Sequence, residues 1–171
     1  MNLYLRTFIV WLASYFRRRL GLLDTSVLKL AILPNDLDIY GHLNNGRYLT
    51  LMDLGRMDII LRSELMKLTR KKRWMPIVGA VAMEYYKSFQ LFQTFELKTR
   101  MLCWDEKWFY LEQRFERGGR LHALGLVKGL FVGPKGRVPI EELIRNLQTV
   151  PIPPAVPEVI QKWQALAPLN R

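Results

Sequence analysis

Cysteine and histidine are nearly missing from this chain: its 171 residues hold one cysteine, Cys103, and two histidines, His42 and His122. A lone cysteine closes no internal disulfide, and two histidines without a surrounding cluster lack the ligand spacing of a zinc site. A reducing compartment and no structural metal are therefore expected. Also absent are the G-x-S-x-G elbow, the Walker A loop and the G-x-G-x-x-G run, the usual marks of serine hydrolases, P-loop NTPases and dinucleotide-binding folds. Acids are scarce, 15 against 26 basic residues, for a net charge of +11. The strongly apolar residues 3–16 would rise only about 21 Å as a helix, short of a hydrocarbon core of about 30 Å, so no membrane span is expected there.

Half of the positions are apolar, which at this length predicts one domain with a substantial core. The positive charge is clustered. Residues 1–20 hold Arg6, Arg17, Arg18 and Arg19 with no acid, and residues 62–73 hold six basic residues against Glu64. Such clusters suit anions such as phosphorylated cofactors or anionic lipid, or else form solvated surface. Arg17 to Arg19 follow the apolar run instead of preceding it, so a secretory signal is not expected. The expected location is cytoplasmic, with two readings open for residues 1–20. An amphipathic helix carrying Phe8, Trp11 and Phe16 lies in a membrane interface, or it packs on its own domain or on a partner subunit. A pI near 10 without a recognised motif gives no specific nucleic-acid binding.

Three regions are expected: an apolar, basic N-terminal helix over 1–25, a central domain over 26–137, and an extension over 138–171. Residues 26–33 read as a short buried strand ended by Pro34-Asn35-Asp36. Residues 34–45 form a loop, and 46–68 form a helix, buried along its first half, with a polar end leading into Arg70 to Arg73. Met75 to Gly133 reads as strand. Phe95, Leu97, Thr99, Met101 and Cys103 alternate with mostly polar neighbours, and Gly118-Gly119 predicts a two-residue hairpin. Gly125, Gly129 and Gly133 fall on one strand face, where they permit close packing. A proline-rich connector, 151–157, precedes a short amphipathic helix bearing Val159, Trp163 and Leu166. The fold class is α+β.

The chemically informative stretch is 36–58, DLDIYGHLNNGRYLTLMDLGRMD. Asp38, His42, Asn44 and Asn45 stand directly before an apolar helix. Free amides at such a helix start can polarise a carbonyl while a nearby carboxylate activates water, a layout suited to acyl transfer. The same residues also make ordinary turns and a helix cap.

The run Asp38, Gly41, His42, Asn44, Asn45, Tyr48, Leu49 and Arg56 resembles the hot-dog fold thioesterases of the 4-hydroxybenzoyl-CoA and acyl-CoA thioesterase superfamily, with their D-x-x-x-H-x-N-N-x-x-Y signature. The resemblance implies a long central helix wrapped by a curved antiparallel sheet, and a homodimer or dimer of dimers with active sites at the subunit interface. It implies hydrolysis of an acyl-CoA with no cofactor, coenzyme A being part of the substrate. Asp38 takes the place of the catalytic acid, as general base or nucleophile, and the amides near Asn45 and Gly46 that of the carbonyl-polarising donors. His42, Asn44, Asn45 and Tyr48 would shape the loop and orient water or substrate, with His42 hydrogen-bonding within the loop. Where relatives often carry a helix glutamate this chain has Thr50, so Asp53 is the helix carboxylate to consider, beside its alternative as an i,i+3 partner of Arg56. Arg70, Lys71, Lys72 and Arg73 are candidate contacts for the coenzyme A phosphates. The alternative is a non-catalytic acyl- or lipid-binding hot-dog protein on the membrane surface.

Overall fold

The computed structural model of the chain describes residues 2–148 and 151–165. Its elements are helix α1 (Asn2–Ser14), strand β1 (Ser26–Ala31), a 3-10 turn (Pro34–Asp36), helices α2 (Asn45–Arg62) and α3 (Leu65–Lys72), strands β2 (Met75–Tyr85), β3 (Thr94–Trp104), β4 (Phe109–Arg117), β5 (Arg120–Gly133) and β6 (Gly136–Val138), and helices α4 (Ile140–Arg145) and α5 (Glu158–Ala165). The strands pair antiparallel in the order β1-β3-β4-β5-β2, and β6 folds back on the end of β5. The core lies between α2 and this sheet, drawing Leu51, Met52 and Leu54 against Leu28, Leu97, Phe115 and Val127. Each such leucine or methionine taken from water is worth roughly 2–3 kcal/mol.

Capping starts α2. The Asn44 side-chain oxygen accepts the Gly46 N–H at 2.9 Å, satisfying one of the unpaired donors of the first turn. Tyr48, Leu51, Met52, Gly55, Ile59 and Arg62 are all buried, and their spacing of mainly three and four residues puts them on the inner face. Two expectations need correction here. The helix does not run to residue 68 but breaks at Ser63-Glu64, and its far end is as buried as its start. Charge pairing makes that burial tolerable. Asp58 accepts from Arg62 and Arg17, each at 2.8 Å, and from the Ser26 hydroxyl at 2.6 Å, so no charge is enclosed without a partner.

The N-terminal arginines have the same use. Arg6, Val10 and Ser14, four residues apart, form the buried stripe of α1, and Arg6 donates to Asp36 at 2.6 Å and to the Ala31 carbonyl at 2.8 Å. Arg17 donates to the Val27 carbonyl, Arg18 pairs with Asp24, and Arg19 donates to the Leu61 carbonyl. The first basic cluster is thus engaged within the domain. Helix α1 also protects β1, an edge strand whose open carbonyls at Val27 and Ala31 are taken by arginine side chains.

The β4–β5 connection is the expected two-residue turn: Arg117 pairs with Arg120, and Gly118 and Gly119 have φ of 55° and 73°, a left-handed pair that glycine adopts without strain. In β3 the strict alternation fails. A bulge after Met101 turns Cys103 to the opposite face, where it packs with Tyr110 and Ile160 beneath α5. There burial, with Asp105 nearby, pushes the Cys103 thiol up to about 11. The extension over 138–171 contains a helix that periodicity did not indicate: α4 has only six residues. In α5 it is Ile160 that is enclosed, with Trp163 packed beside it, while Val159 is exposed. Leu166 lies outside the described residues.

Candidate active site

Asp38 sits in a tight loop closed by the backbone. Its N–H donates to the His42 carbonyl at 2.8 Å, and its carbonyl accepts the Gly41 N–H at 3.1 Å. The carboxylate Oδ1 accepts the N–H groups of Tyr40 (2.9 Å) and His42 (3.1 Å), an Asx-type turn that fixes the side chain. Oδ2 takes no hydrogen bond among the described residues, which leaves one oxygen of an oriented carboxylate for chemistry. Gly41, with φ of 75°, supplies the left-handed residue that lets the loop close.

The loop is held from two sides. Asp36, fully buried, accepts from Arg6 on one oxygen and from Arg47 on the other at 2.9 Å, while its carbonyl accepts the Asn44 N–H at 2.9 Å. This ties α1, the loop and the first turn of α2 to one carboxylate. On the other side the β2–β3 loop is stitched on through the Leu43 N–H to the Phe89 carbonyl at 2.9 Å and a bridge between His42 and Gln90. From the sequence, Asp36 is legible only as part of the turn that ends the first strand, Arg6 only as part of a basic cluster suited to anions, and Arg47 not at all. A lone chain offers no signal that residues 30 and 11 positions from Asp36 converge on it.

The signature residues divide by position. Asn44 is the helix cap. The Gly46 N–H, expected to polarise a carbonyl, is taken by that cap, whereas the Asn45 amide one position earlier is not claimed by it. Tyr48, expected near substrate, is only 2% exposed and lies inside an aromatic cluster with Tyr85, Phe89 and Phe115. Its hydroxyl is pushed up to about 12, chiefly by burial, and its ring contact with Phe89 ties it to the loop that carries that residue. His122, in β5, stacks on Phe89 at 4.3 Å and its carbonyl accepts the Tyr86 and Lys87 N–H groups, while its Nδ1 has no hydrogen-bond partner. Burial, followed by the charge of Lys87, lowers its pKa.

An apolar cavity of about 290 Å³ lies beside the second half of α2, lined by Met57, Ile60, Leu65, Met101, Leu111 and Phe131 among others, with Asp53 and Arg56 also in its wall. Asp53 is exposed and pairs with Arg56. Arg56 also donates to the Gln113 side-chain oxygen at 2.8 Å. Fully buried, Gln113 uses its amide group to hold the Met52 carbonyl and the Thr99 hydroxyl, each at 2.9 Å. Burial lowers the Arg56 pKa, against the opposing pull of Asp53. The eight residues from Asn45 to Asp53 amount to about 12 Å of helix rise. Within one protomer the Asp38 loop and the cavity therefore face different parts of α2. Ile77 and Val78 of β2, a long edge strand with exposed apolar side chains, also line this cavity.

Arg70, Lys71, Lys72 and Arg73 are not brought to the loop. They lie on α3 and just after it, beyond the far end of α2, whose 18 residues span about 27 Å. Among the described residues no group of three or more His, Cys, Asp or Glu side chains is placed to hold a metal ion, and no helix is long and apolar enough to cross a membrane.

Comparison with known proteins bears on the family and the fold. The family profile described as the thioesterase-like superfamily matches residues 32–164. Protein THEM6 of Xenopus laevis is 42% identical over 84 residues, which cover 49% of this chain and 41% of that protein. The chain spans about half the length of the curated relatives it matches. Among solved structures, the probable thioesterase YbaW from Escherichia coli aligns with a TM-score of 0.65 at 20% identity, covering 70% of this chain and 92% of that one. Protein SAV2348 from Staphylococcus aureus, solved in complex with CoA, aligns with a TM-score of 0.61 at 12% identity, covering 83% and 95%.

Proposed function

Because the chain belongs to the thioesterase-like superfamily and has its hot-dog fold, we propose that it hydrolyses an acyl-CoA thioester to the free acid and coenzyme A, with Asp38 as the reacting carboxylate. The observation that carries this reading is the Asp38 side chain itself: one oxygen is locked by two backbone amides, and the other is unengaged, in the loop that leads into α2. That oxygen either takes a proton from water or attacks the thioester carbon, and the Asn45 N–H at the helix start stabilises the charge that develops on the carbonyl oxygen. The reaction draws on no cofactor beyond the coenzyme A of the substrate, and its setting is the cytoplasm. The bound coenzyme A of a solved neighbour supports the substrate class.

The cavity beside α2 receives the acyl group, and a homodimer, or a dimer of such dimers, formed along β2 brings it to a reacting loop. Supporting the assembly is β2 itself, an open edge of eleven residues with Met75, Ile77, Val78, Val81 and Tyr85 exposed, a surface that edge strands rarely leave uncovered. The deciding experiment is hydrolysis of short, long and aromatic acyl-CoA substrates by the wild type and by Asp38→Asn. Equal rates for both proteins on every substrate would remove Asp38 from the mechanism.

A specific observation also favours contact with a membrane surface. Helix α1 and the residues just after it expose Tyr4, Leu5, Phe8, Ile9, Tyr15 and Phe16, an outer apolar face of the kind that sits at a bilayer interface. Liposome sedimentation of Phe8→Ser/Phe16→Ser against wild type tests it: retained binding in the variant removes the helix from the contact.

A further inference from the structure

The two basic clusters have different fates. Arg6, Arg17 and Arg18 are paired with carboxylates, whereas Arg19, exposed, donates only to the Leu61 carbonyl and keeps its charge uncompensated. On α3, Lys67 and Lys71 have no hydrogen-bond or carboxylate partner among the described residues, and Lys72 only overlies the Trp74 ring, at 5.6 Å. Lys67 and Lys71 stand one helical turn apart and open onto a groove of about 590 Å³, which Arg19, Lys72, Asn146 and Gln148 also line. The one acid in its wall, Glu64, is turned to structural use, accepting the Gln148 N–H at 2.7 Å. Arg19, Lys67, Lys71 and Lys72, from two separate segments, therefore face a single carboxylate, while the fifth basic residue of the wall, Arg62, is buried and paired with Asp58. Lys71 and Lys72, in the last turn of α3, also complement the dipole of that helix. That accounts for neither Lys67, nearer its start, nor Arg19, which comes from the α1–β1 connection.

We infer that this groove binds a phosphate-rich group, a phosphomonoester or a diphosphate, at a place separate from the Asp38 loop. Ammonium and guanidinium groups converging from two sides suit phosphate oxygens. The length of α2 lies between the groove and Asp38, so the two sites are independent within a protomer. The inference does not rest on the thioesterase reading.

Binding of pyrophosphate and of coenzyme A by calorimetry, and of neutral-lipid vesicles with and without phosphatidic acid by sedimentation, tests it in the full chain. Wild type should bind at least one of the phosphate-bearing probes saturably, and which one distinguishes a soluble source from a lipid headgroup. Lys67→Glu/Lys71→Glu should weaken that binding at least tenfold, with Lys67→Gln/Lys71→Gln intermediate and circular dichroism unchanged. A control of equal charge change at the β4–β5 turn, Arg117→Glu/Arg120→Glu, should bind as wild type does. Three outcomes would each overturn the inference: no saturable binding of any probe, undiminished binding by both lysine variants, or an equal loss in the turn control.

Discussion

Two aspartates two positions apart have opposite duties. Asp38 keeps one oxygen unengaged. Asn is nearly isosteric and can still accept the Tyr40 and His42 amides, so Asp38→Asn should leave the melting temperature unchanged while lowering kcat by about 10² to 10⁴, the usual contribution of a positioned acid or base. Asp36 holds Arg6 and Arg47 with both oxygens inside the fold. Asp36→Ala leaves two guanidinium groups without their partner and should cost about 3–5 kcal/mol in denaturant unfolding. His122 predicts a pH effect. Its folded pKa is lowered by burial, so the unfolded chain binds the proton more readily. This contribution to stability is complete above the ordinary histidine value near 6.5 and is lost as pH falls from there through the folded value. Stability measured from pH 7.5 to 5 should fall more steeply for the wild type than for His122→Gln.

Between helix and sheet, the contact is set by one missing side chain. A Cβ at Gly55 would collide with the Thr99 hydroxyl and stand 2.8 Å from the Gln113 amide nitrogen, a network that cannot withdraw without unpairing buried groups. Gly55→Ala should therefore destabilise by about 1–3 kcal/mol and disturb Arg56 through Gln113. At Gly125 the intruded atoms are the ends of Met52 and Met83, flexible side chains that can shift. Gly125→Ala should cost less, and thermal melts of the two variants give the order. The elements themselves were largely legible in the sequence, because the apolar positions of α2 cover most of a helical circumference and the Gly118-Gly119 turn has specific chemistry. The β3 bulge was not, since an extra residue in a strand leaves no mark on composition and shows only when the partner strand is paired.

For the whole molecule, the arrangement points outward along β2. The cavity walls include residues of this exposed edge, while the Asp38 loop lies about 12 Å of helix rise away, so a second copy is the expected source of a complete site. Val81→Lys/Tyr85→Lys should reduce the solution mass measured by light scattering to that of a single 20.2 kDa chain and abolish hydrolysis with it. Retained activity in a monomer would show that one chain is sufficient.

The sequence by itself determined the α+β class, the central helix, the hairpin and the D-x-x-x-H-x-N-N-x-x-Y loop with Asp38 in it, because each depends on local periodicity, turn chemistry or a contiguous motif. Only the tertiary structure decided which charges are engaged. Asp36 and Asp58 gather arginines from 30 and 41 positions earlier in the chain, which turns an apparently anion-seeking N-terminus into internal bracing and leaves the lysines of α3 as an uncompensated cluster. Burial and pairing arise from packing between distant segments, and charge alone, read along a chain, does not say where its partner stands.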